Sequence, residues 1–160
     1  MNIKIIKVNY NNEKQAKELI YLLNVYASDP MGGGQPLKQY VVENLVKELS
    51  KLPHAFSVIG YVDNEPAGLI NCFEAFSTFS CKPLVNIHDV IVLKKFRGNE
   101  VSQKMLELVE EIAVTKGCCK LTLEVLTGNE VAKSSYEKYG FSNYELDPKV
   151  GVAQFWEKVI

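Results

Sequence analysis

The sequence has no long apolar segment and almost no net charge. No apolar run approaches the roughly 20 residues that span a bilayer, and the opening MNIKIIKVNY is too short and too charged for a signal peptide. The net charge of −1 provides no overall attraction to nucleic acid or anionic lipid. We therefore expect a cytoplasmic protein that binds neither nucleic acid nor membrane.

Cysteine and histidine are too few and too scattered for a metal site. The four cysteines, Cys72, Cys81, Cys118 and Cys119, show no C-x-x-C spacing, and both histidines lie far from either pair in sequence. We expect no bound metal. The vicinal Cys118 and Cys119 lie beside a predicted strand, where we expect buried, reduced thiols that behave as small apolar residues.

The remaining composition is that of one ordinary globular domain. A chain of 160 residues, 47% hydrophobic and 23% charged, can bury a substantial core. No repeat of about 20 to 50 residues indicates a solenoid or an array. We expect a single domain over residues 1–160.

Apolar spacing and turn residues predict the element order βααβββαβαββ. A first strand lies around Ile3–Val8, and Asn11 or Asn12 can cap the helix that follows. The segment DNEP joins two strand-like runs as a hairpin. From Val85 to Leu126 the pattern is strand, helix, strand, a crossover that makes its two strands parallel. The fold class is α/β (α+β), with a mixed, mostly antiparallel sheet.

The other predicted elements complete this order. A second helix covers Leu37 to Leu52, and a third runs from about Asn99 to Lys116. The segment KLTLEVL is a strand, NEVAKSSYEKYG is a fourth helix, and FSNYEL and VAQFWEKVI form two terminal strands. These last strands could pair across a homodimer.

The stretch FRGNEVSQKMLELVEEIA places an arginine and a glycine just ahead of an amphipathic helix. A loop that leads from a strand into a helix presents backbone N–H groups and the positive helix end, and both favour a diphosphate. Lys94, Lys95, Arg97 and Lys104 add positive charge. The alternative is a plain turn with solvated cations.

Together with the segment NEVAKSSYEKYGF, this loop and the element order resemble the GNAT superfamily of acyl-CoA-dependent N-acetyltransferases. The loop motif of that family, Arg/Gln-x-x-Gly-x-Gly/Ala, begins at Arg97, with Glu100 and Ser102 in place of the usual small residues. The second motif is N-x-x-A-x-x-x-Y-x-x-x-G-F. Its positions are occupied by Asn129, Ala132, Tyr136, Gly140 and Phe141.

The resemblance covers nearly the whole chain and implies helices on both faces of the sheet. It also implies transfer of an acetyl group from acetyl-CoA to a primary amine of a small-molecule or protein acceptor. A non-catalytic acyl-CoA-binding or regulatory module of the same fold is the alternative, because the carboxylate of Glu100 would repel a diphosphate unless it turned outward. The implied cofactor-binding residues are Val90, Ile91, Val92, Leu93, Arg97, Gly98, Asn99, Glu100, Val101, Ser102, Asn129, Ala132 and Tyr136.

Three residues are candidates for proton transfer. Tyr136 matches the family tyrosine that serves as general acid, and its phenol can donate to the leaving thiolate. Glu124 and His88 are both candidates for the base that deprotonates the amine, and the sequence does not separate them. Strand alternation places Asp89 on the face opposite His88, so we rank it lower as a base.

The acceptor site is expected near the connection between the first two helices, DPMGGGQPL, as in the family. The candidate residues are Asp29, which could attract a cationic amine, with Met31, Gly32 and Phe76. A flexible connector is the alternative, because a glycine run needs no ligand. An aromatic wall from FEAFSTFSC is a further expectation.

Overall fold

The computed structural model describes residues 1–160, and the chain forms two compact units, residues 1–126 and residues 127–160. The single-domain expectation stays a prediction. The first unit contains β1 (Ile3–Lys7), α1 (Glu13–Ser28), α2 (Gln39–Leu49), β2 (Ala55–Val62), β3 (Glu65–Ser77), β4 (Lys82–Val92), α3 (Val101–Thr115) and β5 (Leu121–Leu123). The second contains α4 (Glu130–Tyr139). No helix has both the length and the apolar character needed to cross a membrane.

The five strands of the first unit form one sheet in the order β1-β2-β3-β4-β5. Neighbours are antiparallel from β1 to β4, and β5 is parallel to β4 after the α3 crossover. The predicted mixed, mostly antiparallel sheet is therefore confirmed. Asp63 and Asn64 connect β2 to β3 with φ of 49° and 68°, the positive values that a two-residue hairpin turn requires.

Helices cover both faces of this sheet. On one face α1 and α2 enclose a core cluster, whose buried members are Val8, Leu19, Leu22, Leu49, Ile59, Tyr61, Leu69, Ile91 and Leu93. On the other face α3 packs so closely that a β-carbon on Gly68 would lie 2.7 Å from Met105 Cε. Gly68 therefore leaves room for the helix, and the expected two-sided arrangement is confirmed.

The helix starts follow local chemistry. The Asn12 side chain accepts a hydrogen bond from Gln15 N at 3.0 Å and caps α1, which decides between the two predicted caps. Helix α2 is shorter than the predicted Leu37 to Leu52, because Gln39 is its first residue and Leu49 its last.

The two predicted terminal strands are wrong. Residues 141–146 and 152–160 form no strand, and a short 3₁₀ turn at Pro148–Val150 lies between them. Alternating side chains identify a segment that could be a strand, but a strand also needs a neighbouring backbone to pair with. Large apolar side chains of this segment remain exposed, including Trp156, with 82% of its surface accessible.

The expected burial of the vicinal cysteines is also wrong. Cys119 is exposed and Cys118 is half-buried, because both lie in the turn between α3 and β5 rather than in the strand. Cys72, on β3, is the buried cysteine, and all four thiols are free.

Candidate active site

Strand β4 contains a β-bulge at His88. Asn71 of β3 pairs with Asp89 and Cys72 pairs with Ile87, so His88 has no partner on β3. The imidazole is exposed, and its centroid lies 5.5 Å from the ring of Phe73 in an edge-on contact. The bulge therefore turns a titratable ring out of the sheet.

The bulge also overturns the prediction that Asp89 and His88 lie on opposite faces. Paired residues share a face of a sheet, and Asn71 and Asp89 lie two residues from the pair Leu69–Ile91, whose side chains belong to the core beneath α1. His88 contacts Phe73, which packs against the same core. Both side chains thus lie on the α1 face, because the extra residue breaks the alternation.

Strands β4 and β5 separate just beyond this bulge. Their pairing ends at Ile87 and Leu123, whereas β4 continues to Val92. We call this point the strand fork. Beyond it, the edge of β4 that faced β5 has no strand partner.

Two backbone donors of β4 are directed to this open edge. Successive residues of a strand direct their N–H groups to alternate edges, and the N–H of Leu93 donates to Ala67 O of the β3 side at 2.9 Å. The N–H groups of Val92 and Val90 consequently face the opposite, open edge. Ile91 and Leu93 bury their side chains in the core.

The structure brings the two candidate bases to the same place. His88 follows the last paired residue of β4, and Glu124 follows the last paired residue of β5. Both side chains are exposed. The predicted strand KLTLEVL included Glu124, but the observed strand β5 ends one residue earlier, at Leu123.

The loop from β4 to α3 has two residues with positive φ, the conformation that favours glycine. Gly98 occupies the first of these positions, and Glu100 occupies the second. Gly98 has φ 80°, and Glu100 has φ 61° and ψ 10°, the left-handed conformation. A side chain in that conformation costs about 1 kcal/mol or more, which explains why glycine is usual at this motif position. The Glu100 side chain is exposed and makes no capping hydrogen bond to α3.

The charges around this loop suit an anion. The Nε of Arg97 donates to Val92 O at 3.2 Å and so holds the guanidinium against the end of β4. Lys95 pairs with Glu65 and lies over the ring of Phe96, with 4.9 Å between its Nζ and the ring centroid. The positive end of the α3 dipole adds to this field. A β-carbon on Gly98 would meet no atom within 4 Å, so the turn also has space beside it.

In the second unit, the motif residues around α4 act as helix start and stop signals. The Oδ1 of Asn129 accepts a hydrogen bond from Ala132 N at 3.2 Å, and Gly140, at φ 110°, ends the helix. The N–H of Phe141 donates to Tyr136 O at 3.0 Å, and the two rings meet edge-on at 6.0 Å. Capping thus accounts for the asparagine and the glycine of this motif.

The connection between α1 and α2 is a hydrogen-bonded turn. Asp29 Oδ1 accepts from Met31 N at 3.0 Å, and Asp29 O accepts from Gly34 N at 3.0 Å. A β-carbon on Gly32 would lie 2.0 Å from Tyr26 O, so no side chain fits there. The glycine run is explained by this close approach and by the positive φ of the next two glycines.

The expected aromatic wall is only partly formed. Phe73 packs against the core cluster, but Phe76 is exposed and Phe79 at the hairpin tip is fully exposed. These rings stand on different parts of the hairpin because β3 continues to Ser77 before it turns.

Sequence reasoning missed Tyr26. Burial raises the pKa of its phenol, and the negative charges of Asp89 and Asp29 raise it further. Both carboxylates therefore act on one phenol at the C-terminal end of α1. No short motif signals this, because Asp89 lies on β4, far along the chain from Tyr26 and Asp29.

The chain belongs to the Acetyltransferase (GNAT) family, whose model matches residues 19–141. The family resemblance predicted from the two motifs is confirmed. The matched range contains the α1–α2 turn, the strand fork, the loop before α3 and the whole of α4.

Individual relatives match over shorter ranges. The chain is 34% identical over 67 residues to a glucosamine 6-phosphate N-acetyltransferase of Arabidopsis thaliana. The aligned segment covers 42% of this chain and 43% of that protein. It is 31% identical over 88 residues to a thialysine N-epsilon-acetyltransferase of Bos taurus. That alignment covers 55% of this chain and 46% of the relative. These matches therefore span less than half of each relative.

A solved structure matches along the whole length. AAC(6')-Iy, in complex with the bisubstrate analogue CoA-S-monomethyl-acetylneamine, aligns with a TM-score of 0.77 and 17% identity, and the alignment covers 100% of both chains. At this identity the likeness establishes the fold.

Proposed function

We propose that this protein is an N-acetyltransferase that transfers an acetyl group from acetyl-CoA to a primary amine. The observation that carries the proposal is the continuous path from the strand fork at Ile87, along the open edge of β4, to the loop before α3 that contains Arg97 and Gly98. A long cofactor with an acyl thioester at one end and a diphosphate nearer the other needs this combination of sites.

The residues of the first unit fit acetyl-CoA. The N-terminus of α3, the Arg97 guanidinium and the space beside Gly98 suit a diphosphate, and the exposed Glu100 carboxylate can point to solvent. Backbone groups of Val90 and Val92 on the open edge suit the amides of the pantetheine arm, which would add to β4 as a further strand does. Acetyl-CoA itself supplies the activated acetyl group.

Each chemical requirement of acetyl transfer has a candidate in the chain. The N–H of Val90 would donate to the thioester oxygen as negative charge develops on it. His88 or Glu124, both at the strand fork, would take the proton that the acceptor ammonium must lose before its nitrogen can attack. On the strength of its motif position, the phenol of Tyr136 would protonate the departing thiolate.

The acceptor would bind near the α1–α2 turn, where Asp29, Met31 and Gly32 lie, with Phe76 as a further contact. The relatives named above act, by their names, on an amino sugar phosphate and on thialysine. A primary amine is common to those two acceptors, and we assign the same reacting group to the acceptor of this protein.

The test is a thiol-release screen of diverse primary amines with acetyl-CoA, preceded by calorimetric titration of acetyl-CoA alone. We expect saturable binding and turnover at about 1 s⁻¹ or faster on the true acceptor. Arg97→Ser should weaken binding, whereas Lys14→Ser, which removes an equal charge from the exposed start of α1, should not. Absence of binding at millimolar acetyl-CoA would overturn the proposal. Binding without turnover on any amine would favour the non-catalytic module.

A further inference from the structure

A row of four polar side chains crosses the α1 face of the sheet. Ser57 of β2, Asn71 of β3 and Asp89 of β4 are successive cross-strand partners, and Tyr10 extends the row beyond β1. The distances are 2.8 Å from Tyr10 Oη to Ser57 Oγ, 2.6 Å from Ser57 Oγ to Asn71 Oδ1 and 2.9 Å from Asn71 Nδ2 to Asp89 Oδ2. The row is unbroken from one side of the sheet to the bulged strand.

Every donor in this row points toward Asp89. Ser57 has one hydroxyl proton and donates it to Asn71, so Tyr10 must be the donor to Ser57. Asn71 accepts on its oxygen and donates from its nitrogen, the only amide orientation that suits a carboxylate on Asp89. Hydrogen bonds aligned in one direction polarise each other, and the last of them ends on the Asp89 carboxylate.

The row is costly to bury, but its last member has no ionic partner. Ser57 and Asn71 are 0% and 4% exposed, the only buried polar residues of the core. Asp89 is half-buried, and no Lys, Arg or His nitrogen lies within 4.0 Å of it. A half-buried carboxylate that accepts one hydrogen bond from Asn71 and has no ionic partner can bind a cationic group of a ligand.

Asp89 also lies where an acceptor must arrive. It directly follows the bulged His88 at the strand fork, on the α1 face. Its charge acts on Tyr26 at the end of α1, as does the charge of Asp29 in the α1–α2 turn. The carboxylate therefore lies beside the proposed reaction point and near enough to Tyr26 for its charge to act on that phenol.

We propose that Asp89 is the acceptor-binding carboxylate of this protein, that it binds a second positive charge on the acceptor, and that Asn71 is the residue that positions it. This inference rests on the proposed acetyl transfer. The charge bound is not the reacting amine, because a carboxylate paired with that amine would hold it protonated and oppose its attack. The acceptor class is thus a primary amine that carries another cationic group.

The test uses three probes with the same five-carbon chain, namely 1,5-diaminopentane, 1-aminopentane and 5-aminopentanoic acid, whose far ends are an ammonium group, a neutral methyl group and a carboxylate. We expect kcat/KM to fall from the diamine to the monoamine and again to the amino acid, with the difference mainly in KM. Asp89→Asn should reduce the preference for the diamine about 10- to 100-fold, the range of a charge pair in a partly desolvated site. Calorimetric titration of the probes in the presence of CoA should reproduce this order without turnover.

The positioning role of Asn71 has its own variants. Asn71→Ala should lower the ratio of kcat/KM for the diamine to that for the monoamine several-fold, although the Asp89 side chain itself is unchanged. Tyr10→Phe, which keeps the ring, should lower this ratio by a smaller factor. The affinity for acetyl-CoA should not change. If Asn71→Ala does not fold, Ser57→Ala, which removes the middle donor of the row, takes its place. An unchanged preference for the diamine in both Ser57→Ala and Tyr10→Phe would overturn the positioning role.

Other outcomes separate this inference from the proposed function. Equal kcat/KM for the three probes, or a fall in kcat by the same factor for all three in Asp89→Asn, would overturn the binding role and leave acetyl transfer intact. Preferential binding of the diamine without any turnover would support the role of Asp89 and count against acetyl transfer. Absence of binding by all three probes at millimolar concentration would overturn the inference.

Discussion

The phenol of Tyr61 on β2 donates a hydrogen bond to Glu18 of α1 across 2.6 Å, so that the sheet and the helix are joined by a polar contact at the edge of their shared core. Burial raises the pKa of this phenol, and the hydrogen bond and charge of Glu18 raise it further. The folded protein therefore holds the proton more tightly than the unfolded chain does.

This contact predicts a loss of stability in alkaline solution. The contribution is complete below the unfolded pKa of 10.0 and declines as the pH rises above it, by at most about 1.4 kcal/mol per pH unit for one proton. Tyr61→Phe should be about 1 kcal/mol less stable at pH 7, where the hydrogen bond is lost, and should approach the parent above pH 10. Denaturant titrations between pH 7 and pH 11 or so measure both curves. The exposed Tyr144, changed to phenylalanine, should leave the curve parallel to the parent.

The glycines of the α1–α2 turn predict unequal costs for the same substitution. Gly32→Ala places a methyl group 2.0 Å from a backbone oxygen and should destabilise by about 2 kcal/mol or more, since the backbone itself must move. Gly34→Ala meets no atom within 4 Å and incurs only the strain of its φ of 73°, about 1 kcal/mol. Urea denaturation of both variants is the measurement, and equal costs would contradict the close approach to Tyr26.

Two variants of Glu100 separate its backbone effect from its charge. Glu100→Gly should raise stability by about 1 kcal/mol, because glycine adopts the left-handed conformation without strain. It should also bind acetyl-CoA several-fold more tightly. Glu100→Gln retains the strain and removes only the repulsion, so affinity should rise by a factor of about 2 to 5 with stability unchanged. Calorimetry and thermal melts provide the two readouts, and a weaker affinity in both variants would mean that the carboxylate contributes to the site.

Tyr136→Phe is predicted to slow catalysis while leaving the helix intact. The phenyl ring keeps its edge-on contact with Phe141, so the helix should stay folded. Loss of the proton donor should lower kcat by about 10² to 10⁴, with little change in the Kd for acetyl-CoA. Tyr139→Phe, three residues along α4 and also against Phe141, is the matched control. Normal turnover by Tyr136→Phe would remove the residue from the mechanism.

Features decided by neighbouring residues were predictable from the sequence. The cap by Asn12, the turn at Asp63 and Asn64 and the loop before α3 each depend on a few adjacent side chains. The parallel pairing of β4 and β5 was predictable from the long helical segment between them, because two parallel strands need a long connection of fixed handedness. Both sequence motifs that carried the family resemblance are of this local kind.

Features that depend on pairing register were not predictable. No proline or glycine marks the bulge at His88, and the side-chain pattern of β4 is consistent with an unbroken strand. Asp89 was consequently assigned to the wrong face. The polar row draws on Tyr10, Ser57 and Asn71, whose contacts arise only when three strands are aligned. The terminal strands failed for the same reason, because a periodic segment does not identify its own partner.

The strand fork has a consequence for the protection of individual amide protons in β4. The N–H groups of Ile91 and Leu93 face β3 and should exchange slowly with solvent deuterium, while those of Val90 and Val92, on the open edge, should exchange quickly. Four consecutive positions at the end of β4 and just beyond it would thus alternate between slow and fast exchange. Acetyl-CoA should slow the two fast positions and leave the others unaltered. Residue-resolved hydrogen exchange can therefore register occupancy of this edge before any acceptor has been identified.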